Sequence, residues 1–272
     1  MQSPKQRRFD LDLSRRVAAG LGTYAVVYRE LLERVGRDAT HALWDTLPNE
    51  PDELAREILS LTPERGGGAT DSQTIERHVR EVFSLPVRGM DADAASRFLR
   101  SSPPFLFIER AWPSLTGTLR LTTYETLHLF RDALARISEE AIRVFGPSGH
   151  LMIYDALSPD PEDFTPLSAD EFMDARRDDY ENPPQEETIF SAGLDTELIH
   201  ANRDELLVHI THCEWARYFT ERHPTVGYLL ACSFDAATYR LECPEIRLQR
   251  RCTLMQGAEY CDFLFYRVHP RL

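Results

Sequence analysis

The stretch CTLMQGAEYCDFLFYRV, Cys252 to Val268, decides how the fold is read. Gly257 marks a reversal of the chain. The residues after it alternate with the period of two that a half-buried strand requires. On that period Cys261, Phe263 and Phe265 share one face, and Tyr260, Asp262 and Leu264 share the other. The neighbouring thiol and carboxylate, Cys261 and Asp262, therefore point apart. They form no chelate, and at most one of them belongs to a reactive centre. With EIRLQRRCTLMQG ahead of it, the stretch reads as a closing β-hairpin.

Upstream, ETIFSAGL and DELLVHITHC alternate like strands, whereas EWARYFTERHP and TVGYLLACSFDAATYRLE carry helical patterns. The first half of the chain is different. Val17, Leu21, Tyr24, Val27, Leu31 and Val35 recur at three- and four-residue steps along one helical stripe, which Gly36 ends. RDATHALWDTL and EPDELAREILSL read as further helices. RGGGATDS reads as a loop, with Thr70 or Asp71 capping a helix over SQTIERHVREVFSL. An apolar strand-like piece follows Pro103-Pro104. The longest helix runs through TTYETLHLFRDALARISEEAIRVFG, capped at Thr122 or Thr123 and stopped by Gly146. Leu127, Phe130, Leu134, Ile137 and Ile142 line it.

The expected class is α+β: a helical N-terminal half plus a C-terminal antiparallel sheet packed against helices. Residues 1–150 form the mainly helical region. Residues 151–187 form an acidic, proline-rich surface connection with one short helix. Residues 188–272 form an α+β region that makes one compact unit with the N-terminal helices.

Composition excludes several functions. The 272-residue chain has a formal net charge of −13 and a pI near 5.2, which repels phosphate backbones and argues against nucleic acid as a partner. No apolar run reaches the roughly 20 residues that span a bilayer, so no membrane partner is expected. The first residues lack the apolar stretch of a secretory signal. Lys5 is the only lysine among 31 basic residues. A phosphate-binding P-loop and a Schiff-base enzyme each need a lysine, and Lys5 near the terminus suits neither. GLGTYA, Gly20 to Ala25, fits a dinucleotide fingerprint, but helical residues precede it where a strand is required. The glycines there read as a close helix-packing site. The five cysteines fall in the last quarter without a C-x-x-C pair. That pattern suggests free thiols in a reducing, cytoplasmic setting, and no metal or cofactor is expected.

Two further local patterns carry chemistry. Strict alternation through HITHC places His209, Thr211 and Cys213 on one strand face, where an imidazole can deprotonate a thiol. His212 lies on the other face with Ile210. In ACSFDAATY, Cys232 and Asp235 stand three residues apart on one helix face, and a carboxylate beside a thiol can orient water or a substrate amine. Each pattern has a plainer structural reading, as half-buried polar groups or as cysteines packed like small hydrophobes.

The block Glu205 to Val268 resembles the L-2-amino-thiazoline-4-carboxylic acid hydrolase family. The resemblance rests on Cys213 in VHITHCEWARYF, on Cys232 and Asp235 in LLACSFD, and on RRCTLMQGAEYCDF with Arg250, Thr253, Gly257, Cys261, Asp262 and Phe263. YAVVYRELLERVGRDATHALW also looks like that family's N-terminal helix. The pattern departs after Gly257: the family carries acidic residues and a second cysteine there, and this chain reads Ala258, Glu259 and Tyr260. A more distant similarity links the region to vinyl-4-reductase-type ligand-binding domains, which hold zinc. Thr253 stands where one of their cysteine ligands is expected, which argues against such a site here.

The resemblance implies hydrolytic opening of a small heterocyclic, amidine or amide substrate by C–N or C–S chemistry. On this reading Cys213 is the nucleophile, His209 or His212 its partner, and Asp235 the base or substrate anchor. Arg250, Cys232, Cys261, Asp262 and Thr253 contact the substrate, Arg250 as a carboxylate clamp. Arg250 also lies in phase with Ile246 and Leu248, which fits a structural ion pair. Two alternatives stay open. One is a non-catalytic sensor-type module that binds a small ligand among Trp215, Tyr218, Phe219, Tyr228 and Phe234. The other is a biosynthetic tailoring enzyme on the same fold. A homo-oligomer is compatible with either.

Overall fold

The computed structural model describes residues 7–47, 52–60, 118–182 and 192–268. The loop, the helix and the strand-like piece expected between residues 61 and 117, with their cap at Thr70 or Asp71, lie outside the described residues. The architecture is α+β, with a four-stranded antiparallel sheet in the C-terminal region packed against helices. The chain divides into two compact units. One comprises Met1–Phe9, Thr122–Tyr124 and Ser158–Leu272, and the other Asp10–Leu121 and Glu125–Leu157.

The second unit is mostly helical. Helices α1 (Leu13–Val35), α2 (Arg37–Trp44) and α3 (Glu53–Ser60) come first. Then come α4 (Thr123–Phe145), which begins in the sheet unit, and α5 (Pro147–Leu157). Gly36 ends α1 in the left-handed region with φ +80°, as its position after the apolar stripe predicts. Tyr24, Val27, Tyr28 and Leu31 of α1 are buried, and so are Thr126, Leu127, Phe130, Ala133, Leu134 and Ile137 of α4. Helix α5 goes beyond the sequence reading. Pro147 occupies its first position, where a missing N–H costs nothing. It packs along α1. Gly149 lets α5 press against α4, since a Cβ there would lie 2.2 Å from the Ala141 carbonyl oxygen. Short alternating runs, β1 (Arg8–Asp12) and β2 (Thr118–Thr122), pair as a small two-stranded sheet that the sequence reading also lacks.

The sheet unit contains β3 (Leu194–Ala201), β4 (Glu205–Cys213), β5 (Ile246–Gln249) and β6 (Cys261–Arg267), in spatial order β3-β4-β6-β5. Every neighbouring pair is antiparallel. Helix α6 (Ala169–Glu181) begins at a capping box formed by Ser168 and Glu171. It lies in the acidic connection but is more than a surface feature. Its Phe172 and Met173 join Leu206, Val208, Ile210, Cys261, Phe263 and Phe265 in the core. Burying large apolar side chains of this kind contributes about 1.5–3 kcal/mol each.

Two further readings are corrected. TVGYLLACSFDAATYRLE is two short helices, α8 (Gly227–Ala231) and α9 (Asp235–Glu242), separated by a turn. They follow α7 (Glu214–Arg222). The closing hairpin has a longer connection than expected. The first strand stops at Gln249, and a 3-10 turn at Leu254–Gln256 ends on Gly257 with φ +86°.

Gly149→Ala should destabilise the protein by about 1–3 kcal/mol, because the obstacle is backbone that cannot rotate away. Thermal unfolding of the full chain checks this, and an unchanged midpoint would show that α5 does not press on α4.

Candidate functional site

Strand β4 leads straight into α7, and its last residues carry the first surprise. Asp195 pairs with His212 but Thr196 pairs with Ile210, so Thr211 is an extra residue at a β-bulge. The bulge reverses the side-chain alternation beyond it. Cys213 therefore packs with the core that holds Val208 and Ile210. His209 stays on the opposite face, stacked on Tyr260 with ring centroids 4.0 Å apart. The expected shared face of His209 and Cys213 is thus overturned. His212 directs Nε2 to Glu214 Oε1 at 2.9 Å. Neither imidazole hydrogen-bonds the Cys213 sulfur, which instead accepts the Ala216 N–H at 3.3 Å and caps α7.

The turn after α8 supplies Cys232, and Asp235 opens α9. Arg250, just past β5, reaches this turn. Its guanidinium donates to Asp235 Oδ2, to the Cys232 carbonyl at 2.7 Å and to the Tyr228 hydroxyl at 3.3 Å. The same group lies 5.2 Å from the Phe263 ring centroid and 5.7 Å from that of Tyr228. Its side chain is 10% exposed, against 28% for Asp235. Most of the planar fork is thereby committed, which favours the ion-pair reading of Arg250 over a free substrate clamp.

Cys261 faces the core from β6, and its sulfur accepts the Leu254 N–H at 3.2 Å. Asp262 faces away from it, as the strand period predicts. Its carboxylate accepts the backbone N–H groups of Arg251 and Cys252 at 2.7 and 2.8 Å, which ties the closing loop to β6. Burial works to raise the Asp262 carboxyl, but these backbone donors win and hold it below the usual range. Thr253 is buried and accepts the Gln256 N–H at 3.2 Å, capping the 3-10 turn. Asp262 and Thr253 thus have structural partners that account for them.

Electrostatics identifies what comes together. Cys213, Cys232 and Cys261 all sense the charge of Asp235, and Cys232 and Cys261 also sense Arg250. Three thiols, one carboxylate and one guanidinium from β4, β6, the turn after α8, the start of α9 and the loop after β5 thus share one neighbourhood. His209, His212, Asp262 and Thr253 do not join it through any contact described above. Burial pushes the Cys213 thiol up to about 11, against the pull of the Ala216 N–H. Burial, reinforced by the Asp235 charge, pushes Cys232 up to about 12. Burial also raises Cys261. Asp235 is raised as well, because burial outweighs the Arg250 charge. At neutral pH the sulfurs are thiols, and Asp235 is the group suited to move a proton.

Tyr228, which the sequence offered only as one of several aromatics able to hold a ligand, joins this group through Arg250. Its signal was an aromatic four residues ahead of Cys232, which equally suits a core. Among the described residues, no three of His, Cys, Asp and Glu are arranged to hold a metal ion. A groove of about 580 Å³ between α6 and the β3–β4 turn is lined by Asp170, Asp174, Arg177, Asn202 and Arg203, none of which belongs to the thiol cluster.

The family profile described as L-2-amino-thiazoline-4-carboxylic acid hydrolase matches residues 126–265. No curated protein and no solved structure matches the chain.

Both thiols have folded-state pKa values above the ordinary value of 9.0. Their contribution to stability is therefore fully present below about pH 9 and is lost as pH rises through about 11 to 12. At pH 8, alkylation of Cys213 should run roughly 100-fold slower in the folded chain than in urea, and it should climb about tenfold per pH unit. Mass-resolved iodoacetamide labelling checks this. Rapid labelling of folded Cys213 at neutral pH would contradict the protonated assignment.

Proposed function

Since the chain belongs to the L-2-amino-thiazoline-4-carboxylic acid hydrolase family, we propose that it opens a small heterocyclic ring by hydrolysis at the cluster of Cys213, Cys232, Cys261 and Asp235. The observation that carries this reading is a largely buried carboxylate, held in place by Arg250, bordered by thiols and raised in pKa by its burial. The five free cysteines suit work in a reducing cytoplasm.

The chemistry follows from the protonation states. A thiol with a pKa of about 11 and no imidazole partner is a poor nucleophile. Asp235 therefore takes a proton from water as the water oxygen bonds to the electron-poor C=N carbon of the ring, and it returns that proton to the nitrogen that receives the broken π pair. The tetrahedral intermediate collapses by breaking one ring bond at that carbon. The electron pair goes to the departing sulfur or nitrogen, which takes the hydroxyl proton by way of Asp235 as the C=O bond forms. One water is consumed and the carboxylate is restored. The protonated thiols offer soft, weakly polar contacts to a sulfur-containing ring and do not compete with water.

Asp235→Asn should lower kcat/KM for 2-amino-thiazoline-4-carboxylate by about 10²- to 10⁴-fold. Cys213→Ala should stay within about tenfold of the unchanged chain. Mass spectrometry of the product, one water heavier than the substrate, provides the readout. For the unchanged chain, kcat/KM should rise with pH through an ionisation above the ordinary carboxylate range, because the base acts when deprotonated. A covalent substrate adduct on Cys213, together with loss of turnover in Cys213→Ala, would restore the thiol as nucleophile. Binding without product would favour the ligand-holding module.

A further inference from the structure

Hydrogen-bond accounting around Arg250 leaves one group without an assignment. Arg250 donates to Asp235, to the Cys232 carbonyl and to the Tyr228 hydroxyl. Arginine has donors only, so the Tyr228 oxygen is the acceptor in its bond. The phenolic proton then points elsewhere, and it has no acceptor among the described residues. Tyr228 is also 41% exposed, unlike the buried Tyr218 and Phe219 nearby. The ring thus presents its O–H to solvent beside the charged cluster.

We propose that Tyr228 is a substrate-positioning residue, whose hydroxyl donates its proton to the carboxylate of a flat heterocyclic acid held beside Asp235. The proposal rests on the hydrolase reading for the identity of the ligand. Arg250 cannot take this role with most of its fork committed, and Tyr228 passes the cation's influence outward. A phenol that accepts from a guanidinium becomes a stronger donor. The two groups that flank the ligand hang from one guanidinium, so their separation is set by a rigid plane and two hydrogen bonds. The platform is also rigid. Gly227 is packed so closely that a Cβ would lie 2.7 Å from Phe219 Cβ and 2.8 Å from Met255 Sδ. A preset ring costs little entropy when ligand arrives.

The test uses two flat aromatic analogues that resist hydrolysis, 2-aminothiazole-4-carboxylate and 2-aminothiazole. Calorimetry on the full chain should show the unchanged protein preferring the acid. Tyr228→Phe keeps the ring but removes the O–H. It should weaken binding of the acid about tenfold and leave the amine unchanged. In turnover of 2-amino-thiazoline-4-carboxylate, KM should rise about tenfold with kcat within about twofold. Equal losses on both analogues with a lower thermal midpoint would make Tyr228 merely structural and overturn the proposal. So would unaltered affinity for the acid, or an unchanged protein that does not bind it. Tyr228-dependent binding of the acid without turnover of the thiazoline would sink the hydrolase reading and leave this site standing.

Discussion

Arg250 is the knot of the sheet unit. A guanidinium so deeply buried is tolerated only when its donors are satisfied and its charge is matched. Here a carboxylate, a carbonyl, a phenol and two aromatic faces meet that demand. Each partner comes from a different local segment, so satisfying one side chain brings α8, the following turn, α9 and β6 together. Removing one partner of a buried pair typically costs about 3–5 kcal/mol, because the other charge is stranded. The site therefore shares its main electrostatic contact with the fold, and Asp235 is held in place by the same pair that stabilises the unit.

Burial near this pair divides the labour between sulfur and oxygen. Thiols surrounded by core lose the solvation that a thiolate needs, and nearby Asp235 adds like-charge repulsion. The helix N-terminus at Cys213, which by itself favours a thiolate, is too weak to reverse this. Asp235 keeps more contact with solvent than Arg250. A raised carboxylate pKa is an asset for a base working near neutrality, whereas a raised thiol pKa disables a nucleophile.

Much of the architecture was legible from local patterning. The period-two run from Cys261 to Phe265 and the 3.6-period stripes of α1 and α4 reflect backbone geometry, which does not wait for tertiary contacts. The glycines at 36, 146 and 257 adopt positive φ at ends that sequence punctuation had marked. Harder to read were features set by a neighbour. Helix α5 depends on contact with α1 and α4, and the acidic α6 hides Phe172 and Met173 under a surface-like composition. The break between α8 and α9 coincides with the Cys232 carbonyl turning to Arg250, which lies 18 residues further on.

The candidate site divides along the same line. Sequence alone determined the sheet-and-helix class, the separated positions of Cys213, Cys232, Asp235 and Cys261, and the opposed directions of Cys261 and Asp262, because these follow from residue identity and strand period. Which of these groups meet depended on contacts between distant segments. One bulge residue at Thr211 turned Cys213 toward the core and away from His209, and strand register, not local pattern, placed that bulge. Protonation was likewise settled by folding, since a side chain's charge depends on the solvent and partners around it, and a linear sequence contains neither.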